Sequence, residues 1–196
     1  MLQYQTQPSD RYSVPEQCQM AIEGGCSWIQ LHLPDADDAA VRELCSELIP
    51  LCRESSTILM LENRPELAKE LGLHGVHITA DSGLNAARVR EDFGPEAIVG
   101  IDVDEPASIL ALKGADIDYV TLHMSVDRAA HVIATAAEGG NTMPVVYGGA
   151  MSIDDIPAVM NAGVSGVIVG ADIANADDPV SRTAEILGRL SEYVRK

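Results

Sequence analysis

The sequence predicts one (β/α)8 barrel. Short β-branched runs alternate with amphipathic stretches along all 196 residues, the pattern of repeated strand and helix units around a parallel sheet. The strand-like runs come to eight, the number that closes such a sheet into a barrel. The GxGxxG turn that marks the first strand of an open doubly wound sheet is missing, which argues against the main competing architecture. No serine-rich, proline-rich or like-charge linker interrupts the alternation, so residues 1–196 are expected to form a single domain.

Taken in order, strands are expected at Leu2 to Thr6, Trp28 to Leu33, Thr57 to Glu62, Gly75 to Ile78, Ile98 to Asp102, Tyr119 to His123, Met143 to Tyr147 and Val167 to Gly170. Each is a short run of β-branched, aromatic or other apolar side chains. Helices fill the intervals. In DDAAVRELCSELIPLC the residues Val41, Leu44, Cys45, Leu48 and Leu51 recur on one face, giving an apolar stripe that covers the sheet. Asp37, Ser152 with Asp155 three residues on, and Asp178 before Pro179 are suited to cap or begin a first turn. Gly24, Gly72, Gly114 and Gly163 mark helix ends.

Composition narrows the partners. A formal net charge of −17 repels both a nucleic acid backbone and an anionic membrane surface, and no basic cluster offsets it. No stretch approaches the roughly 18 apolar residues that read as a membrane span, and the start lacks the basic and apolar regions of a signal peptide, so a cytoplasmic protein is expected. Cys18, Cys26, Cys45 and Cys52 form no CxxC pair and read as reduced core residues. No lysine stands at a strand end, since Lys69, Lys113 and Lys196 fall on helices or at the terminus, which argues against imine chemistry.

The segment MPVVYGGA runs a strand into Gly148 and Gly149 and then toward a helix beginning at Ser152. The last strand ends at Gly170 and Ala171 before a short turn and the final helix. Glycine-ended strands seven and eight, beside a helix N-terminus, form the common phosphate site of such barrels, so a small phosphorylated ligand is expected there. The alternative is that these glycines only permit tight turns.

Over most of its length the chain resembles the thiamine-phosphate synthase and TenI superfamily. The resemblance is carried, in order, by AIEGGCSWIQLHLPDAD, LENRPELAKELGLHGVHITADS, EAIVGIDVDEPASILALKGADIDYV and MPVVYGGAMSIDDIPAVMNAGVSGVIVGADIANADDP. It implies a barrel, a homodimer, and a thiazole phosphate or thiamin phosphate held by the two glycine ends. The synthases join a pyrimidine diphosphate to a thiazole phosphate, using basic residues and magnesium to draw off the diphosphate.

Those are the positions where this chain departs. The family's Gln followed by spaced Arg and Lys stands here as Gln30, His32 and Pro34, its Asn-Asp pair as Glu62 and Asn63, and its metal-binding Asp as Ser82 beside Asp81. Asp102 replaces a phosphate-contacting Ser, and HMSVDRAAH offers no counterpart to the expected Thr and Lys. Glu62, Asp81 and Asp102 end successive strands and are the candidate oxygen ligands of a magnesium ion, or else solvated loop carboxylates. TenI-type members move a proton on a thiazole carboxylate phosphate without metal and carry a His after the sixth strand, within one position of His123. A one-residue slip there would turn His123 outward.

Imidazole titrates near neutrality, which suits His123 to carry a proton, and His32 shares the strand parity of Gln30. His77 reads as a hydrogen-bonded residue of the barrel interior, or, with His32 and His123 on the other even-numbered strands, as part of a three-nitrogen zinc site. His74 and His131 are assigned no role. The leading expectation is a TenI-like tautomerase needing no cofactor, with His123 and His32 catalytic and Gln30, Asp102, Gly148, Gly149, Gly170 and Ala171 on the ligand. A magnesium-dependent synthase and a catalytically silent thiamin phosphate binder are the alternatives.

Overall fold

Eight parallel strands close on themselves in a computed structural model that describes residues 1–112 and 114–193. The strands are β1 (Leu2–Gln5), β2 (Trp28–Leu31), β3 (Ile58–Glu62), β4 (Gly75–Ile78), β5 (Ile98–Val103), β6 (Tyr119–Leu122), β7 (Val145–Tyr147) and β8 (Gly166–Val169). They pair in sequence order, and Leu2 opposite Val167 seals β1 to β8. All eight expected strands are present. Most differ by a residue or two at the ends: β7 starts at Val145 because Pro144 has no N–H for the ladder, and its carbonyl instead accepts from Val120 at 3.0 Å.

The helices are α1 (Val14–Glu23), α2 (Asp38–Glu54), α3 (Pro65–Glu70), α4 (Ala86–Phe93), α5 (Pro106–Ala111), α6 (Val126–Glu138), α7 (Ile156–Asn161), α8 (Ala171–Ala174) and α9 (Pro179–Ser191). Asp37 caps α2 by accepting the Ala40 amide at 2.8 Å, and Asp178 caps α9 through the Ser181 amide at 3.1 Å. Asp155 accepts both the amide and the hydroxyl of Ser152, but the helix expected there opens as a 3-10 turn, Ile153–Asp155, before α7. Gly72, Gly114 and Gly163 take left-handed φ values of 65°, 89° and 96°. Gly24 does not: its φ is −73°, and Gly25 at 95° makes the turn in its place. Gly24 is instead a contact residue, since a Cβ there would lie 2.5 Å from the Cβ of Thr183 on α9.

Two apolar layers result from strand alternation. Outward-facing Tyr4, Ile29, Leu31, Leu59, Leu61, Val120 and Leu122 pack under the helices, joined by the four cysteines, all buried and unpaired. Burial pushes the Cys45 and Cys52 thiols up to about 11, so they are inert as nucleophiles at neutral pH. Inside the barrel, Met60, Tyr119, Val146 and Ile168 fill the floor against Trp28, Ile58 and Ile98. Above that floor the interior turns polar, with Gln3, Gln30, His77 and Thr121 all fully buried.

No helix among the described residues is long and apolar enough to cross a membrane. Lys69 lies on α3 and donates to the Asp92 carbonyl, away from the strand ends. Lys113 and Lys196 lie outside the described residues.

Candidate active site at the carboxyl ends of the strands

Period-two alternation sends Gln5, Gln30, His32, Glu62, His77, Asp102, Thr121 and His123 to the barrel side of their strands. The register staggers them, with Gln5 opposite Gln30, Glu62 opposite His77 and Asp102 opposite Thr121. Two hydrogen-bonded clusters form. In the first, Glu62 Oε1 meets His32 Nδ1 at 2.8 Å, while Oε2 accepts from Gln30 Nε2 at 3.0 Å and Gln5 Nε2 at 3.1 Å. Burial alone would raise the Glu62 carboxyl, but the bonds from His32 and Gln30 outweigh it and hold it below the ordinary range. The same Glu62 bond raises His32, against the opposing effect of burial.

The second cluster centres on Asp102. Its Oδ1 lies 2.8 Å from His77 Nε2 and 3.0 Å from His123 Nε2. Burial favours the neutral acid, yet the two imidazoles overcome it and hold Asp102 down to about 2. Asp102 in turn raises His123. The outer nitrogens are anchored too: His123 Nδ1 donates to the Gly148 carbonyl at 2.7 Å, and His77 Nδ1 lies 3.1 Å from the Tyr119 hydroxyl. His123 therefore faces inward, and the outward slip does not occur. His77 is buried and bonded through both ring nitrogens, as expected of an interior residue.

Apart from Gln30, which is buried and does not line it, the clusters line a mouth cavity of about 520 Å³ that also includes Pro34, Asn63, Thr79, Asp81 and Asp104. No Lys or Arg is among its described lining residues. Glu62, Asp81 and Asp102 share this cavity but do not converge as an oxygen site for magnesium. Glu62 has both oxygens engaged, Asp81 Oδ1 accepts from Thr79 at 2.7 Å, and the three are not a group with ligand atoms within 4.8 Å of one another. The three-histidine set does not assemble either, because His32 turns to Glu62. Among the described residues, the one such group is His77, Asp102 and His123.

Next to the mouth, a cavity of about 210 Å³ is lined by Gln5, Gln7, Gly148 to Met151, and Ile168 to Asp172. The glycine ends of β7 and β8 thus face one space, but their amides divide unevenly. The Gly148 N–H is spent on the Leu122 carbonyl at 2.9 Å, whereas the amides of Gly149, Ala150, Gly170 and Ala171 donate to no group among the described residues. Gly148 serves a different purpose: a Cβ there would lie 2.4 Å from His123 Cε1. Gly170 likewise makes room for the Gln7 amide, 2.2 Å from its ideal Cβ. Asp102 lines the mouth and not this cavity.

Several contributors escaped the sequence reading. Gln5 lines both cavities, and the polar alternation of Gln3 and Gln5 along β1 is the signal that marked it. Tyr119 and Gly100 show their connection only in three dimensions: a Cβ on Gly100 would lie 2.1 Å from the Tyr119 ring, so this glycine admits the tyrosine that reaches His77. His74, assigned no role, accepts the Leu59 amide at 3.1 Å.

The family model described as thiamine monophosphate synthase matches residues 4–173. A thiamine-phosphate synthase of Bacteroides fragilis is 32% identical across 95% of this chain and 98% of its own length. That of Azorhizobium caulinodans is 30% identical across 92% of this chain and 89% of its own. Among solved structures, a thiamine phosphate pyrophosphorylase from Pyrococcus furiosus superposes with a TM-score of 0.88 at 21% identity, covering 99% of this chain and 96% of that one. A 3-hexulose-6-phosphate synthase superposes at 0.70 with 17% identity, covering 96% and 98%. These superpositions speak to the barrel alone.

Proposed function

The chain belongs to the thiamine monophosphate synthase family, and from that premise we propose that it joins a pyrimidine diphosphate to a thiazole phosphate. The observation that carries this reading is the pair of adjoining cavities at the strand ends, which share Gln5. The smaller, about 210 Å³, has the dimensions and free amides for one phosphate ester. The larger, about 520 Å³, has room for a second ring and its leaving group. Two ligands held side by side are what a coupling reaction needs, because their encounter is already made when both are bound. The names of the relatives favour coupling over proton transfer on a single ligand.

A diphosphate must be met by positive charge, and the mouth has no Lys or Arg among its described lining residues. By the resemblance, His32 stands where synthases carry a permanent cation, and its bond to Glu62 holds it toward the charged form. We assign His32 to the diphosphate, Gln30 and Glu62 to the orientation of His32, and the amides of Gly149, Ala150, Gly170 and Ala171 to the thiazole phosphate.

The position of His123 supports a second reading. Anchored by Gly148 and Asp102 at the boundary of the two cavities, it is placed to transfer a proton on a single thiazole carboxylate phosphate. The test supplies purified protein with each substrate set and follows thiamin phosphate formation and thiazole tautomerisation separately. Coupling is expected, with a loss of roughly 100-fold in His32→Ala from removing the charge at the leaving group. Tautomerisation without coupling, abolished by His123→Ala while ligand affinity holds, selects the second reading. Tight binding of thiamin phosphate with neither turnover identifies a carrier or sensor.

A further inference from the structure

We infer that His77, Asp102 and His123 form a binding site for one divalent transition-metal ion, held by the two Nε2 atoms and the Asp102 carboxylate. The ligand atoms of the three lie within 4.8 Å of one another, inside the reach of a single ion. The hydrogen bonds behind them set the tautomers. A carbonyl oxygen only accepts, so the 2.7 Å contact with Gly148 puts a hydrogen on His123 Nδ1. When the ring is neutral, Nε2 presents a lone pair to an Asp102 oxygen 3.0 Å away, a gap that a proton on the imidazolium closes and that a metal ion can take over. His77 repeats the arrangement. Its Nδ1 meets the Tyr119 hydroxyl, which donates onward to Gln3 Oε1 at 3.4 Å, so donation along that chain leaves Nε2 of His77 as a second lone pair aimed at the same oxygen. Imidazoles whose outer N–H groups are fixed by a carbonyl and a hydroxyl, with inner nitrogens converging on a carboxylate, are the usual support of a metal site.

Charge and exposure agree with this. One dication beside the Asp102 carboxylate and two neutral imidazoles leaves the cluster with a single positive charge. The side chains grade from closed to open, His77 at 1% exposed, Asp102 at 14% and His123 at 41%, so the free coordination positions face the mouth cavity. Two nitrogens and one oxygen suit zinc, cobalt, nickel or ferrous iron and disfavour magnesium, which asks for oxygen. Such an ion would add fixed positive charge to a mouth lined by Glu62, Asp81, Asp102 and Asp104. The site rests on the geometry. Only the assignment of a diphosphate as its exogenous ligand rests on the coupling reading, and metal on His123 excludes the proton-transfer reading.

The test uses chelator-stripped full-length protein titrated with Co2+, followed by visible d–d absorption, and with Zn2+ by calorimetry. One ion per chain is expected, uncompeted by excess Mg2+. Tyr119→Phe should weaken it about 10–100-fold through the lost outer bond, and the exposed ligand variant His123→Ala should weaken it further. Absence of a Co2+ spectrum in folded wild-type protein, or a spectrum unchanged in His123→Ala, overturns the inference. Coupling activity in protein that binds no metal overturns the site and spares the function. Metal binding without coupling does the reverse.

Discussion

Gly148 shows how one missing side chain serves a neighbour. As a sequence feature it reads as a phosphate contact, but its amide is bonded to Leu122 and its bare α-carbon seats the His123 ring. Gly148→Ala should push His123 off Asp102, cost roughly 1–3 kcal/mol by crowding and impair whatever His123 does, seen by thermal denaturation together with either activity assay. Asp102 carries a matching dependence on pH. Its carboxyl falls from 3.8 to about 2 on folding, worth about 2 kcal/mol, present above the ordinary carboxylate range and lost as pH falls toward the folded value. His123 and His32 are raised, so their contributions are whole below the ordinary histidine value and fade as pH rises through the folded one. Urea titrations of wild type and Asp102→Asn should therefore differ most between the ordinary carboxylate range and the folded value of His123, and draw together in acid. Coupling that depends on charged His32 should decline on the alkaline side, and a flat alkaline profile would exclude that role.

Among the elements, strands were readable because each is a short apolar run whose parity needs no partner, and helix starts because Asp37 and Asp178 cap locally. Helix ends were legible in position but not in mechanism. Gly24 stands at the end of α1 as expected, yet Gly25 takes the left-handed angle, and Gly24 lets α1 approach α9 at Thr183 and Val180. The two glycines should respond differently to alanine. Gly25→Ala meets a left-handed penalty of about 1–2 kcal/mol, whereas Gly24→Ala drives a Cβ into the α9 backbone and should cost more. Equal shifts in melting temperature would show that the helix contact is softer than its geometry indicates.

At the scale of the whole molecule, barrel closure decides what the sequence alone could not: which imidazole meets which carboxylate. His77, Asp102 and His123 come from three successive strands, and the stagger of register selects that trio over both the three histidines and the three carboxylates. The same closure concentrates charge. A chain of formal net charge −17 gathers Glu62, Asp81, Asp102 and Asp104 around one opening with no Lys or Arg among its described lining residues, while Arg42 pairs with Glu70 and Arg90 with Asp118 on the outside of the barrel. On the proposed coupling reading, a phosphorylated substrate would approach against the long-range field and be held by short-range donors and local charge once inside. Salt screens the first effect over a Debye length of about 10 Å at 0.1 M and leaves buried hydrogen bonds much less affected. For an anionic substrate, kcat/KM should accordingly rise with ionic strength at fixed pH. A cation-lined mouth predicts the opposite slope, so a fall with salt would mean that positive charge, from bound metal or from the histidines, governs the approach as well as the grip.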